Sequence, residues 1–293
     1  MSLEKLPFSD LLEFDDTYIP RLRLRKELLA QHPAATYECR KGAEPAVLEL
    51  YAWLTSTYLP RRFPTIFTLG TSELHNRTTG RALPLKPSSA TAALVTLGEN
   101  IDTDFLLLLP TSPSTETYSL RAFVNCFPSG FSTRAKCGMN LAEIHAPVPG
   151  YAAKLEKSMD RFFARLEVGK LVRRTNWAVT TNSDLFAEEG NHLYVAEEAG
   201  DGEAEVEKQR AEIRIEECRL RCERQTLHRL PETGALVFAF KTYQYTLDEV
   251  KAEGSGPELA AAIDGLGAGS VPGMAVYKRG IVWGEKVKAF LLS

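Results

Sequence analysis

Histidine is the residue type in this chain best suited to holding a metal or moving a proton near neutral pH, and there are five: His32, His75, His145, His192 and His228. They are too dispersed for a paired-histidine motif on one helix, which leaves a single axial imidazole as the metal chemistry open to them. His145 has the most restrictive surroundings. Leu141-Ala142-Glu143-Ile144 makes a short apolar turn ahead of it, and Pro147 and Pro149 fix the chain after it, so an imidazole there is held at low entropic cost. The competing reading of that position is a histidine bonded to the backbone.

The five cysteines, Cys39, Cys126, Cys137, Cys218 and Cys222, are odd in number and contain no C-x-x-C pair. This argues against a disulfide scaffold, structural zinc or an iron–sulfur cluster, and favours reduced core thiols. Cys218 and Cys222 would adjoin on a helix but lie roughly 13 Å apart on a strand. Gly265-Leu266-Gly267-Ala268-Gly269 has the look of a dinucleotide loop, yet an Ala-rich helical segment precedes it where a strand is required, so a flexible turn is expected. No P-loop and no Gly-x-Ser-x-Gly elbow occurs, so nucleotide-driven and serine-hydrolase chemistry are not signalled.

With 293 residues and 44% apolar content the chain can bury a substantial core. Its 35 basic and 38 acidic residues sum to a formal charge of -3, which offers nucleic acid no electrostatic reason to bind and suits small neutral or cationic ligands better. Apolar runs such as Phe105 to Leu109 are far short of the roughly 20 residues of a membrane span, and no signal-peptide core is visible, so a cytoplasmic protein is expected.

Residue spacing predicts helices over Thr17 to Gln31, Ala46 to Tyr58 and Tyr151 to Leu166, the last with Leu155, Met159, Phe162 and Phe163 on one face. Between Pro60 and Ala90 the content of Pro, Gly, Ser and Thr predicts surface loops. Strands are expected over Phe105 to Leu109, Tyr118 to Cys126 and Leu171 to Val179. Arg219 to Leu230 and Ala235 to Tyr245 form a hairpin turned by Pro231-Glu232-Thr233-Gly234. Alternation puts Arg224, Thr226 and His228 on one face of its first strand and Glu223, Gln225 and Leu227 on the other. The acidic stretch from Glu188 to Glu207 reads as a solvated loop, with partner docking the minority reading. Short helices punctuated by Gly follow from Pro257 to Ser293.

The ordered series Phe127-Pro128-Ser129-Gly130, Ile144-His145-Ala146-Pro147-Val148-Pro149, Asp160-Arg161-Phe162-Phe163, Arg174-Thr175-Asn176-Trp177, Glu223-Arg224-Gln225-Thr226-Leu227, Leu230-Pro231-x-Thr233-Gly234 and Thr242-Tyr243 resembles the haem (alpha) subunit family of oxidative N-demethylases. The resemblance implies an α+β, PAS-like fold in which an antiparallel sheet and flanking helices enclose haem b. It implies one such domain over residues 1–293, with an N-terminal helical extension to about residue 90 and C-terminal helices from about residue 246. The implied activity is that of an oxidoreductase, a monooxygenase that uses haem iron and O2 to remove a methyl group from a small secondary amine such as dimethylamine and releases formaldehyde. Electrons would come from NADPH through a partner reductase carrying FMN and an iron–sulfur cluster.

Within that frame His145 is the candidate iron ligand, with His228 second and Cys126 or Cys137 outside alternatives. Arg174 and Arg224 would neutralise haem propionates, or else form surface or sheet-edge ion pairs. Glu223 would hold an ammonium substrate or organise a proton path, its alternative being a structural salt bridge. Trp177 and Tyr243 would line the pocket, or else pack as ordinary core aromatics. The chain departs from the family pattern in its long acidic stretch after Phe186, in His228 where Arg is expected, and in Lys241 where Arg is usual. Two other readings stay open: a haem-based PAS-like sensor, and a haemless binding module without turnover.

Overall fold

The computed structural model describes residues 3–112, 116–193 and 202–293. In chain order the strands are β1 (Glu4–Lys5), β2 (Tyr37–Cys39), β3 (Phe67–Leu69), β4 (Glu73–Asn76), β5 (Arg81–Pro84), β6 (Asp104–Pro110), β7 (Tyr118–Val124), β8 (Leu171–Thr180), β9 (Arg219–Arg229) and β10 (Leu236–Thr246). Seven of them form one antiparallel sheet in the order β1-β8-β9-β10-β6-β7-β2, and β3, β4 and β5 form a second. With helices on both faces of the large sheet, the chain is α+β.

The β9–β10 hairpin is the centre of this sheet, pairing without interruption from Arg229 opposite Leu236 to Arg219 opposite Thr246. Its turn closes because Gly234 takes φ +69, a left-handed conformation that costs glycine little. The Glu49 carboxylate then accepts from the Glu232 and Thr233 amides at 2.7 and 2.9 Å, satisfying donors the turn leaves open.

Side-chain alternation gives the sheet two different faces. One row runs Val172, Leu227, Phe238, Leu106, Phe123 across β8, β9, β10, β6 and β7, and the helices Leu141–His145 and Glu156–Arg165 bury it with Leu141 and Phe163. The neighbouring row, Leu171, His228, Val237, Leu107 and Ala122, points the other way. The helices Tyr18–Gln31, Glu44–Trp53 and Ala90–Asn100 cover that side with Leu28, Leu50, Leu94 and Leu97. A third apolar cluster, with Val179, Cys218, Trp283 and Val287, joins the far end of β8 and β9 to the C-terminal helices Gly256–Ala268 and Gly280–Leu292.

One buried ion pair links these layers. Arg25 and Asp104 meet at 2.7 Å with 0% and 1% side-chain exposure, and Asp104 also accepts from the Cys126 and Phe127 amides at 2.7 and 3.2 Å. The first helix is thereby tied to the point where the chain leaves β7 towards His145. Removing either partner would strand a buried charge, at a cost of about 3–5 kcal/mol.

Several expectations are corrected. The stretch from Pro60 to Ala90 contains the β3–β5 sheet, whose Phe67, Leu74 and Leu83 are buried. Gly265 to Ala268 continue a helix, which ends at Gly269. Small residues let that helix approach its neighbour: a Cβ on Gly256 would lie 2.7 Å from the Leu291 carbonyl oxygen, and one on Gly284 3.4 Å from Ile263. The acidic stretch ends in a helix, Gly202–Glu212, while its residues 194–201 lie outside the described part. The favoured reading of the cysteines holds: all five are free, and burial pushes Cys126 and Cys137 up to about 12. Among the described residues no helix is long and apolar enough to cross a membrane.

Candidate functional site

On the face that buries Val172 and Leu227, the apolar row gives way along β8 and β9 to polar side chains. Arg174 lies opposite Gln225, and Asn176 opposite Glu223. Glu223, Gln225 and Arg221 are 9%, 6% and 1% exposed, so three polar groups sit where a solvated sheet edge would not hold them. They are joined rather than isolated. Gln225 Nε2 donates to Glu223 Oε2 at 2.9 Å, Arg174 Nε donates to Gln225 Oε1, and Asn176 Nδ2 donates to Glu223 Oε2 at 3.4 Å. Arg221 Nε stands 3.9 Å from Glu223 Oε1, while its Nη2 donates to the Phe127 carbonyl at 2.7 Å.

The segment between β7 and β8 lays His145 near this strip. Asn140 and Glu143 form a reciprocal capping box that starts the Leu141–His145 helix, and His145 occupies its last turn. His145 Nδ1 lies 2.8 Å from the Leu141 carbonyl oxygen. A carbonyl only accepts, so Nδ1 carries the proton and Nε2 keeps its lone pair. The ring stacks on Tyr151 with centroids 4.6 Å apart and planes 14° from parallel. Burial pushes the imidazole down to about 4, with the Leu141 bond opposing the shift and the charges of Lys136 and Arg174 adding to it. The group is therefore neutral at pH 7.

Lys136 and Arg174 are themselves half-buried, each with its pKa lowered first by burial. Neither forms an ion pair with a carboxylate among the described residues; the Lys136 ammonium lies over the Phe131 ring at 4.2 Å. The buried Tyr151 hydroxyl likewise has no hydrogen-bond partner there. A neutral imidazole with a free Nε2, two desolvated cations with no direct carboxylate pair among the described residues, Arg174 feeling Glu223 only through Gln225, and an orphaned hydroxyl form a donor set that suits an iron porphyrin with two propionates. Among the described residues no three His, Cys, Asp or Glu side chains gather as a metal site. A haem iron needs only one protein ligand, so the two observations agree.

Two further groups border the strip. Lys278 Nζ donates to Asn176 Oδ1 at 3.3 Å and to the Trp177 carbonyl, and lies over the Trp177 ring at 5.2 Å. Burial lowers its pKa to about 8, opposed by the Glu223 charge. His192 Nδ1 lies 3.3 Å from the Gly130 carbonyl oxygen, and its ring is 4.4 Å from that of Tyr277. Burial pushes it down to about 4.

Strand parity separates the remaining sequence candidates from His145. Arg224 points to the opposite face, where it pairs with Glu13 at 2.7 Å and donates to the Leu11 and Asp10 carbonyls. Tyr243 is on that face too, and its hydroxyl donates to Glu13 at 2.8 Å. Trp177 packs at the edge of the C-terminal apolar cluster. His228 is 2% exposed and lies between Phe8 and Trp53. The structure thus brings together His145, Arg174 and Glu223, and places Arg224, Tyr243 and His228 across the sheet. Sequence reasoning missed Lys136, His192 and Lys278, which reach the strip only through tertiary packing. Arg221 carried a usable signal: with Glu223 and Gln225 it continues, at every second residue, the face that holds Leu227.

A family model described as haem-dependent oxidative N-demethylase, alpha subunit-like, matches residues 2–288.

Proposed function

The chain belongs to the haem-dependent oxidative N-demethylase, alpha subunit-like family, and on that premise we propose that it is a haem b subunit that removes a methyl group from a small secondary amine such as dimethylamine. His145 carries this reading. Its Nδ1 is committed to the Leu141 carbonyl, which fixes the tautomer and leaves Nε2 to ligate iron. Lys136 and Arg174 would hold the propionates, and Tyr151 would support the ring of His145 by stacking on its face.

Bound haem supplies oxygen-dependent oxidation of the methyl carbon, chemistry beyond any side chain here, with formaldehyde as the one-carbon product. The chain's own residues bind and orient. Glu223, held by Gln225 and Asn176, would attract a protonated amine and fix its nitrogen, while the sheet and the 141–165 helices exclude bulk water. Arg221 and Lys278 flank that carboxylate and balance its charge in the absence of substrate.

The PAS-like reading of the fold draws support from five central strands, β7-β6-β10-β9-β8, antiparallel throughout, with the helical segment between β7 and β8 laid over one face. We take residues 1–293 as one such domain, extended by helices before about residue 90 and after about residue 246. The alpha-subunit description supports a system of several components. Electrons from NADPH would then arrive, in the cytoplasm where we place this chain, through a separate reductase carrying FMN and an iron–sulfur cluster.

The deciding experiment is the absorption spectrum of the purified chain with a pyridine haemochrome assay, repeated for His145→Ala. A Soret band at near-stoichiometric haem, lost or shifted out of its imidazole-ligated form in the variant, is expected. A chain that takes up no haem on reconstitution would instead be a haemless binding module. A variant that keeps the parental Soret band while His228→Ala loses it would move the iron to His228.

A further inference from the structure

Across the sheet from His145 lies a hollow of about 210 Å3, walled by Phe8, Trp53, Val168, Leu230 and Pro231 around His228. Its physical peculiarity is His228. The residue is 2% exposed, and neither Nδ1 nor Nε2 has a hydrogen-bond partner among the described residues. Its ring meets Phe8 edge-on at 5.7 Å and Trp53 at 5.6 Å, contacts that satisfy neither nitrogen. A buried polar group left in this state is costly and uncommon, and it calls for an occupant that supplies the missing bond.

The lining narrows the class of occupant. Arg229 borders the hollow, but its guanidinium already donates to the carbonyls of Leu166, Phe163 and Gly234 and to the Tyr118 hydroxyl. Trp53 has only an indole N–H to donate, so His228 is the one side chain of the lining that can accept a hydrogen bond. A water molecule needs two to four polar partners and is poorly served here. A cation would be desolvated with no carboxylate in the lining. Haem is too large, since even drug-sized ligands occupy pockets of about 300–1,000 Å3. An apolar cavity of about 150 Å3 holds benzene, so an aromatic ring with one small substituent fits.

We propose that this hollow is a binding site for a small neutral aromatic alcohol, phenol in its simplest form, whose ring packs against Phe8 and Trp53 while its hydroxyl donates to the imidazole of His228. Both ring nitrogens are covered, so entry goes with a movement of Phe8 or Trp53, neither of which is fully buried. Burial holds His228 neutral, with its pKa pushed down to about 4, which keeps one nitrogen an acceptor at pH 7. The site is independent of the haem reading, because no residue of the His145 strip lines it.

Calorimetric titration of the full chain with phenol and with toluene, its near-isostere without the hydroxyl, tests the assignment. The parent should bind phenol about tenfold more tightly, the worth of one hydrogen bond that relieves a buried group. In His228→Phe the two affinities should become equal. Phenol binding no tighter than toluene in the parent, or a preference that survives in the variant, overturns the proposal. Should the variant fold poorly, 15N spectra of the imidazoles of the parent decide: phenol should move one neutral histidine and leave the other four in place, and no movement overturns it.

Discussion

Glu223 and Arg224 are neighbours in the chain with opposite surroundings. Glu223 accepts from Gln225 Nε2 at 2.9 Å on the His145 side of the sheet, whereas Arg224 pairs with Glu13 at 2.7 Å on the other. A single step along β9 therefore separates a carboxylate suited to a bound amine from a cation that fastens the N-terminal segment. Replacing each in turn should give unlike results.

For Glu223→Gln the shape is kept and the charge removed. A carboxylate in low dielectric attracts a compact cation more strongly than water allows. Dimethylamine should then bind at least about tenfold more weakly, the scale of a charge-assisted hydrogen bond, with haem content unchanged. Spectral titration with dimethylamine and dimethyl ether measures both. Equal affinities in the parent, or an unweakened variant, would make Glu223 a structural residue.

Arg224→Met and Tyr243→Phe address the opposite face. Both should retain parental haem and amine binding, because their partners are Glu13 and the Asp10–Leu11 backbone. Arg224→Met should instead lower stability by about 1.5–3 kcal/mol, the range for hydrogen bonds to a charged group. Urea unfolding followed at Trp fluorescence reads the loss. Haem loss from either variant would contradict the placement of these residues.

Alternation within one strand is a local property, so the division of Glu223 from Arg224 is legible in the sequence alone, as is the hairpin closed by Pro231 and Gly234. Helices with one apolar stripe are legible for the same reason. The Ala90–Asn100 helix is not, because Ala93, Leu94, Leu97 and Gly98 are buried together and leave little contrast between faces. The β3–β5 strands are three or four residues long, too short for a period to emerge among their Thr and Gly neighbours. Lys136, His192 and Lys278 come from three distant parts of the chain and act only once the sheet has formed. No local signal marks them.

His228 also predicts a pH dependence. Its pKa is about 4 when folded against 6.5 ordinarily, burial being the cause. Above pH 6.5 both states hold a neutral ring and its contribution to stability is constant. As pH falls from 6.5 towards about 4 the unfolded chain takes a proton that the folded chain refuses, so stability falls by up to about 1.4 kcal/mol per pH unit for this group. His228→Phe removes the term. Urea midpoints at pH 7, 6 and 5 should therefore decline less steeply for the variant than for the parent. Parallel curves would mean that His228 titrates alike in both states.

Lys136 and Arg174 supply the last prediction, which concerns haem retention rather than ligation. Both are half-buried cations without carboxylate partners among the described residues, and both bear on His145 electrostatically. If they hold propionates, Lys136→Met and Arg174→Met should each speed haem loss about tenfold or more, as expected for a charge-assisted bond, while the imidazole-ligated spectrum stays parental. The Arg174 variant also frees Gln225 Oε1, so amine binding through Glu223 should weaken there and not in the Lys136 variant. Haem transfer to an apoprotein acceptor measures the first effect, and amine titration the second. Retention equal to the parent in both variants would place the propionates elsewhere and leave Arg174 as a clamp on Gln225.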